Sequence, residues 1–208
     1  SSTAAVYSPS EKPAITEEDS TIPLSPYGAT KLLSEQLISN VSSAEGFSCV
    51  SLRYFNVAGS GSDEMGDNSR DNLVPKVFLA ITNGERPEVF GTDYPTPDGT
   101  CIRDYIHVSD LARAHIDALK AVEKIRIDEI YNVGSGNGFS VTEVMTEIEK
   151  AMGKNLNPIL GPRRAGDSPK LIASIEKISR DLGWKPKHTL RDMITSSWSA
   201  WQSQGGSR

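Results

Sequence analysis

The chain has 208 residues, of which 37% are hydrophobic and 24% are charged, and its formal net charge is −5. This composition is typical of a globular protein with one domain or two small lobes, and its negative charge argues against a nucleic-acid-binding or membrane-binding surface. No apolar run reaches the ~20 residues of a membrane span, and Cys49 and Cys101 lack metal-ligand spacing, which favours a cytoplasmic protein.

The predicted elements alternate between strands and helices. The first half contains a short strand at 4–7, a loop at 9–24, a helix from Ser25 to about Gly46, a strand at 49–55, a loop at 56–72 and a helix at 73–84. The second half contains strands at 88–91, 102–108 and 129–135, a helix capped by Ser109, a helix at 140–153, a strand within 157–162, and helices at 174–183 and 190–201. This alternation predicts an α/β fold with a parallel sheet.

Local residue patterns predict several helix ends. Ser25 suits an N-cap and Pro26 suits the first helical position. Ser140 and Glu143 have the spacing of a capping box. The glycines of "GSGNG" (134–138) resemble a dinucleotide-binding loop, but the third glycine falls too early, which favours a tight strand-to-helix turn.

Tyr27 and Lys31 stand four residues apart at the start of a helix, so their side chains leave the same helix face. An ammonium beside a phenol favours the phenolate and lowers a pKa that is ordinarily about 10. A phenolate can take a proton from a sugar hydroxyl while hydride leaves the same carbon. A Tyr and a Lys that merely share a helix face have the same spacing, so the surrounding residues must decide between the two interpretations.

The surrounding motifs decide it. In order along the chain they are "SSTAAVY", "SPYGATK", "LRYFNVAG", "NLVPKV", "VFGTDYPTPDGTCIRDYIHVSDLA", "YNVGSGNGFSV" and "GPRRAGD". The chain thereby resembles the UDP-glucose 4-epimerases, which are extended short-chain dehydrogenases/reductases, over nearly its whole length. The stretch 89–112 is the most specific part, because related sugar-nucleotide enzymes diverge there.

The resemblance implies NAD as cofactor and a role for each matching residue. Tyr27 would be the catalytic base, Lys31 would hold the nicotinamide ribose, and Thr3 would bond the sugar 4-hydroxyl where the family usually has serine. Tyr54 would contact the nicotinamide. The residues that bind the UDP-sugar would be Thr3, Phe55, Asn56, Asn72, Leu73, Phe90, Arg103, Arg164, Asp167 and Leu171.

The residue types are consistent with these roles but also have other interpretations. Arg103 and Arg164 would bind the diphosphate through planar, bidentate donors, although surface ion pairs are the usual role of such residues. Phe90 would line the uracil pocket or belong to the core, and Asn72 would contact the ligand or cap a helix. The acids of the loop 61–67 lack regular ligand spacing, so no metal site is expected.

In this family a glycine-rich NAD-binding segment precedes the stretch that begins here at Ser1. The resemblance therefore implies a C-terminal portion of such an enzyme, inactive by itself. Its expected parts are a remnant of a doubly wound, Rossmann-like sheet and a smaller α/β substrate lobe. The remnant would comprise residues 1–56 and 109–134, the lobe residues 57–108 and 135–201, and a disordered tail residues 202–208.

The implied activity is the interconversion of UDP-glucose and UDP-galactose by transient oxidation at the sugar C4. A 4,6-dehydratase would need an acidic pair where the chain has Thr3-Ala4-Ala5. The alternatives that stay open are a 4-epimerase of UDP-N-acetylhexosamines or UDP-pentoses, and a non-catalytic fragment. Leucine at 171 would lie near the sugar 2-substituent and favour unmodified hexoses. The chain is expected to form a homodimer through the helix that carries Tyr27 and Lys31.

Overall fold

The structure is a computed structural model that describes residues 1–69, 71–124, 127–164 and 166–205. The strands are β1 (Ser2–Thr3), β2 (Cys49–Tyr54), β3 (Asn56–Ala58), β4 (Glu88–Phe90), β5 (Ile102–His107), β6 (Asp128–Val133), β7 (Gly138–Ser140), β8 (Ile159–Gly161) and β9 (Lys170–Leu171). The α-helices are α1 (Pro26–Glu45), α2 (Leu73–Thr82), α3 (Val108–Lys124), α4 (Val141–Met152), α5 (Glu176–Leu182) and α6 (Leu190–Ser203).

The strands form three small sheets. The first has the order β1-β2-β6, and its strands are all parallel. In the second, β5 lies between β3 and β7, with β9 also paired to it, and only the β5–β7 pairing is antiparallel. The third is the parallel pair β4-β8. The predicted α/β fold with parallel strands is confirmed.

Each main sheet packs on its own group of helices. Strands β2 and β6 of the first sheet share a core with α3 and α5. Tyr105 of β5 and Val89 of β4 share a larger core with α2, α4 and α6, in which the Phe78 ring packs at a tilt against Trp198 and Trp201. None of the helices in the described ranges is long and apolar enough to cross a membrane.

Helix α1 begins and ends where the sequence predicts. Ser25 Oγ accepts a hydrogen bond from Gly28 N at 3.1 Å, Pro26 takes the first position, and Gly46 ends the helix with a φ of 76°. Its sheet-facing side is unusual, because its buried residues are Gly28, Glu35 and Ser42. Glu35 forms an ion pair with Arg53 at 2.7 Å between side chains that are almost fully buried.

Several predictions of local structure were wrong, and β3 lies within the predicted loop 56–72. Residues 4–6 form a 3₁₀ helix rather than a strand, because Thr3 Oγ1 accepts from Ala5 N and turns the chain. Helix α3 starts at Val108 directly after β5, and Ser109 N donates to His107 Nδ1, so Ser109 is not its cap. The predicted tail begins inside α6, which continues to Ser203, while residues 206–208 lie outside the described residues.

Candidate functional site

The residues predicted to transfer the proton surround the end of β1 and the first turns of α1. Gly28 lies between Tyr27 and Lys31, and a methyl group added to it would lie 2.2 Å from Ala5 O. The first turn of α1 therefore packs directly on the 3₁₀ helix that follows Thr3. Tyr27 is 52% exposed, and Lys31 Nζ donates to Ser1 O at 3.1 Å.

The hydroxyl of Thr3 is held in a defined position. Thr3 is 9% exposed and is paired with Tyr54 across the parallel strands β1 and β2. Its Oγ1 accepts from Ala5 N at 3.2 Å, and the hydroxyl can still donate its proton to another acceptor. Thr3 and Tyr54 are the last residues of their strands, so both stand at the carboxyl edge of the first sheet, where ligands bind in open α/β sheets.

The predicted residues 54–56 carry the chain from the first sheet to the second. Tyr54 is half-buried, and Phe55 is 6% exposed in a small core with Ala173. Phe55 N donates to Val133 O at 3.1 Å, which continues the first sheet by one bond. Asn56 is exposed and pairs with Tyr105 in the second sheet. The structure therefore gives Phe55 a packing role and exposes Asn56 toward solvent.

A cavity of about 490 Å³ collects most of the predicted nucleotide-binding residues. It lies between α2, the end of β4, β5 and the segment that follows β8. The predicted residues that line it are Asn56, Asn72, Leu73, Phe90, Arg103, Arg164 and Asp167. Among the described residues, those predicted for the sugar and nicotinamide do not line this cavity, namely Thr3, Tyr27, Lys31, Tyr54, Phe55 and Leu171.

Arginine side chains and an aromatic ring define one wall of the cavity. The Arg164 guanidinium lies over the Phe90 ring, 3.9 Å from its centroid. Arg103 Nη1 donates to Ser168 O at 2.7 Å, and its Nη2 lies 3.3 Å from Asp167 Oδ1. This wall combines planar cations, a carboxylate and an aromatic face, which are the groups that bind a diphosphate, a ribose hydroxyl and a nucleobase.

Asn72 and Leu171 have structural roles that the sequence leaves open. Asn72 occupies the N-cap position of α2, but its side chain makes no capping bond and donates instead to Asp67 Oδ2 at 2.8 Å. Of the two interpretations of Asn72 that the sequence leaves open, the side-chain cap of α2 is therefore excluded. Leu171 pairs with Arg103 through the strands β9 and β5 and packs against the small core that contains Phe55.

The glycine turn 134–138 binds a carboxylate of the protein itself. It leads from β6 to β7 and only then to α4, so it is a strand-to-strand turn. Ser135 N donates to Asp104 Oδ1 at 2.7 Å, and Gly136 N donates to Asp104 Oδ2 at 3.0 Å. Burial raises the pKa of Asp104 to about 6 although these bonds favour its charged form. The amides that could face a phosphate are thus already occupied.

Sequence reasoning missed the contacts beside the cavity that Arg163 makes. Its guanidinium forms an ion pair with Asp93 at 2.7 Å and lies 4.3 Å from the centroid of the Tyr94 ring. No spacing in the sequence links these residues, because about seventy positions separate them. Only the pairing of β4 with β8 brings the two segments together.

The comparisons with known proteins agree with this fold. Residues 1–134 match the sequence model of the NAD dependent epimerase/dehydratase family. The chain is 45% identical to a UDP-glucose 4-epimerase of Azospirillum brasilense, over 97% of this chain and 59% of that protein. It is 42% identical to UDP-glucose 4-epimerase 2 of Arabidopsis thaliana, over 98% of this chain and 60% of that protein.

Solved structures give the same result. A UDP-glucose-4-epimerase from Stenotrophomonas maltophila with bound NAD and formylated UDP-arabinopyranose superposes with a TM-score of 0.92 at 35% identity, over 98% of this chain and 62% of that one. A Bifidobacterium longum UDP-glucose 4-epimerase in complex with NAD+ and UDP gives 0.87 at 40% identity, over 99% and 63%.

The parallel strands and the helices that pack on them define a protein of the α/β class. The chain belongs to the NAD dependent epimerase/dehydratase family, whose cofactor is NAD. It spans about 60% of the length of the curated relatives that it matches.

Proposed function

We propose that this chain carries the UDP-sugar site and the proton-transfer residues of an epimerase that interconverts UDP-glucose and UDP-galactose. The cavity wall with Phe90, Arg103, Arg164 and Asp167 carries the proposal. Its chemistry matches a uridine diphosphate, with an aromatic ring for uracil, guanidinium groups for the diphosphate and a carboxylate for a ribose hydroxyl. The relatives named UDP-glucose 4-epimerases support the same substrate class.

The proton-transfer step belongs to the residues at the carboxyl edge of the first sheet. Tyr27 Oη takes the proton from the sugar 4-hydroxyl, and the nearby Lys31 ammonium stabilises the phenolate. The Thr3 hydroxyl donates a hydrogen bond to the same sugar oxygen. After the 4-keto sugar has turned over in the site, so that the hydride would return to the other face of C4, Tyr27 gives the proton back to the sugar 4-oxygen.

Among the described residues, those that fit NAD would contact its nicotinamide end. Tyr27, Lys31 and Tyr54 would hold the nicotinamide and its ribose, and bound NAD would accept and return the hydride. The glycine turn 134–138 does not fit the pyrophosphate, because its amides donate to Asp104. The 208 residues alone are therefore expected to bind NAD weakly and not to turn over UDP-sugars. Calorimetry with NAD and a coupled epimerisation assay test this, and tight binding or turnover would contradict it.

Titration of the chain with UDP tests the nucleotide site directly. The wild-type chain should bind UDP much more tightly than uridine, because the diphosphate adds the contacts with the arginines. Arg103→Met should weaken UDP binding by roughly 10-fold to 100-fold, since hydrogen bonds to charged groups contribute about 1.5–3 kcal/mol. Arg180→Met is the matched control, because Arg180 pairs with Asp181 on α5 and does not line the cavity. Equal affinities for UDP and uridine would contradict the proposal.

Sugar selectivity is proposed to depend on Leu171. Leucine adds bulk and no hydrogen-bonding group, so it favours unmodified hexoses over their 2-acetamido derivatives. In an active epimerase that contains this chain, UDP-glucose and UDP-galactose should have higher specificity constants than the UDP-N-acetylhexosamines. Replacing Leu171 by Ala should narrow that difference. Equal constants in the unaltered enzyme would exclude this role.

The chain is proposed to form a homodimer through the outer face of α1. It is also proposed to be a cytoplasmic protein. Leu33 and Leu37 are each 64% exposed, and Ile38 is 45% exposed. Such an apolar stripe on a helix is usually covered by another surface. Light scattering of the chain should show self-association that Leu37→Lys reduces, whereas a monomer at high concentration would exclude the pairing.

A further inference from the structure

Two adjacent arginines follow β8 and point to different partners. Arg164 lies over Phe90 and lines the cavity. Arg163 lies over Tyr94 and is not among the residues that line the cavity in the described part of the chain. The Arg163 side chain therefore attaches the segment that carries Arg164 to the neighbouring turn 91–94.

The attachment begins at the end of the β4–β8 pair. Phe90 stands opposite Gly161, and Gly91 N donates to Gly161 O at 2.9 Å. Two residues further on, Arg163 Nε donates to Asp93 Oδ1 at 2.7 Å, and its Nη2 donates to the Asp93 carbonyl oxygen. The fork of one guanidinium thus binds both the side chain and the backbone of Asp93.

The platform beneath Arg163 is rigid. Tyr94 is 4% exposed, and its backbone is fixed by a bond from Tyr94 N to Gly99 O at 2.9 Å. Gly91 has a φ of +79°, and a methyl group on it would lie 2.4 Å from the Tyr94 ring and 2.9 Å from Arg163 Cγ. Glycine therefore lets the ring and the arginine stem pack against the backbone at this turn.

From this geometry we propose that Arg163 is a positioning residue, which holds Arg164 at the cavity for a nucleoside diphosphate. An exposed ion pair contributes little by itself, and the Asp93 side chain is 74% exposed. Stacking on a buried ring and the second bond to the Asp93 backbone restrict the guanidinium more than the ion pair does. A segment fixed before binding loses less conformational entropy when the ligand arrives. The inference rests on the proposed function.

A double-mutant cycle separates positioning from direct contact. UDP affinity is measured by calorimetry for the wild-type chain, Arg163→Met, Arg164→Met and the double variant. Arg163→Met should weaken binding about fivefold to tenfold. In the Arg164→Met background the same change should have almost no effect, because the residue that it positions is absent. Equal losses in both backgrounds would overturn the inference.

The direction in which Asp93→Ala changes UDP affinity also distinguishes positioning from charge attraction. Asp93→Ala removes a negative charge near the proposed diphosphate site and leaves the charge of Arg163 in place. If Arg163 acted by attraction alone, this variant would bind UDP more tightly. Positioning predicts about twofold to threefold weaker binding, because Arg163 loses one of its anchors. Tighter binding would overturn the inference.

Hydrogen exchange tests the attachment without any ligand. The amides of Gly91 and Tyr94, which donate to Gly161 O and Gly99 O, should exchange faster in Arg163→Met than in the wild-type chain, while exchange elsewhere stays unchanged. Arg180→Met again serves as the control. If the wild-type chain does not bind UDP, the proposed function fails, and exchange alone then decides the positioning role. Unchanged exchange at Gly91 and Tyr94 would overturn it.

Discussion

Replacing Asp110 by Asn should lower the stability of this fold in a pH-dependent way. Asp110 lies in the first turn of α3 and is 0% exposed. Its Oδ1 accepts from Arg113 Nη2 at 2.6 Å, and its Oδ2 accepts from the backbone amides of Lys187 at 2.8 Å and His188 at 2.9 Å. The carboxylate therefore ties the segment that leads into α6 to the start of α3.

The lowered pKa of Asp110 gives the size of the expected loss of stability. Burial by itself raises this pKa, but the bonds from Arg113 and from the amides of His188 and Lys187 outweigh it and lower the pKa from 3.8 to about 2. At about 1.36 kcal/mol for each pKa unit, the carboxylate gains roughly 2–3 kcal/mol on folding. Asp110→Asn should therefore lower the free energy of unfolding by about 2–3 kcal/mol at pH 7, or Tm by about 5–10 °C.

The pH dependence has a definite sign. Because the pKa is lower in the folded state, the stabilisation is complete above pH 3.8 and is lost as the pH falls toward 2. Urea unfolding of wild type and variant at pH 7, 5 and 3 should show an unchanged difference between pH 7 and 5. At pH 3 that difference should be roughly half as large.

Asp117→Asn provides a matched control on the same helix. Asp117 forms an (i, i+3) ion pair with Lys120, and both side chains are partly exposed. Its loss should change the free energy of unfolding by no more than about 0.5 kcal/mol. A difference below 1 kcal/mol for Asp110→Asn at pH 7, or one that persists undiminished to pH 3, would refute the assignment of the lowered pKa to these hydrogen bonds.

Three further changes have expected outcomes. Gly28→Ala places a methyl 2.2 Å from a backbone oxygen and should lower the free energy of unfolding by about 1–3 kcal/mol in urea titrations, whereas Gly61→Ala, with its nearest atom at 3.7 Å, should not. Glu35→Gln leaves the buried Arg53 without its counter-charge and should lower it by about 3–5 kcal/mol in the same assay. In an active epimerase that contains this chain, Tyr27→Phe should lower turnover by ~10²–10⁴, measured by a coupled assay; near-normal turnover would remove Tyr27 as the base.

The features that the sequence predicted correctly depend on neighbouring residues. The cap of α1 joins Ser25 to Gly28, and the capping box of α4 joins Ser140 to Glu143. Each bond spans three positions, so the residue types alone define it. A strand that the sequence did not predict depends on a distant partner. Strand β9 has two residues and exists only through its pairing with β5, about seventy positions away.

The candidate site also contains residues that the sequence predicted and contacts that it missed. Family motifs placed Arg103 and Arg164 together, and both line the cavity. The residue types alone could not place these two arginines together, because arginines also form surface ion pairs. Arg163 shows that limit, since it adjoins Arg164 in the sequence and turns to Asp93 and Tyr94 instead. Which of two adjacent arginines faces the cavity depends on the register of β4 with β8.

Strand β5 shows why a highly specific motif does not by itself identify ligand contacts. Side chains alternate across a strand, and here Arg103 and Tyr105 face the cavity. Asp104 and Ile106 face the opposite side, where Asp104 binds the amides of the turn after β6 and Ile106 enters the core beneath the first sheet. One run of residues thus lines the cavity on one face and forms the junction of two sheets on the other. The strand alternation therefore makes the acidic side chain of Asp104 structural and leaves Arg103 as the residue of this pair that is proposed to bind the nucleotide.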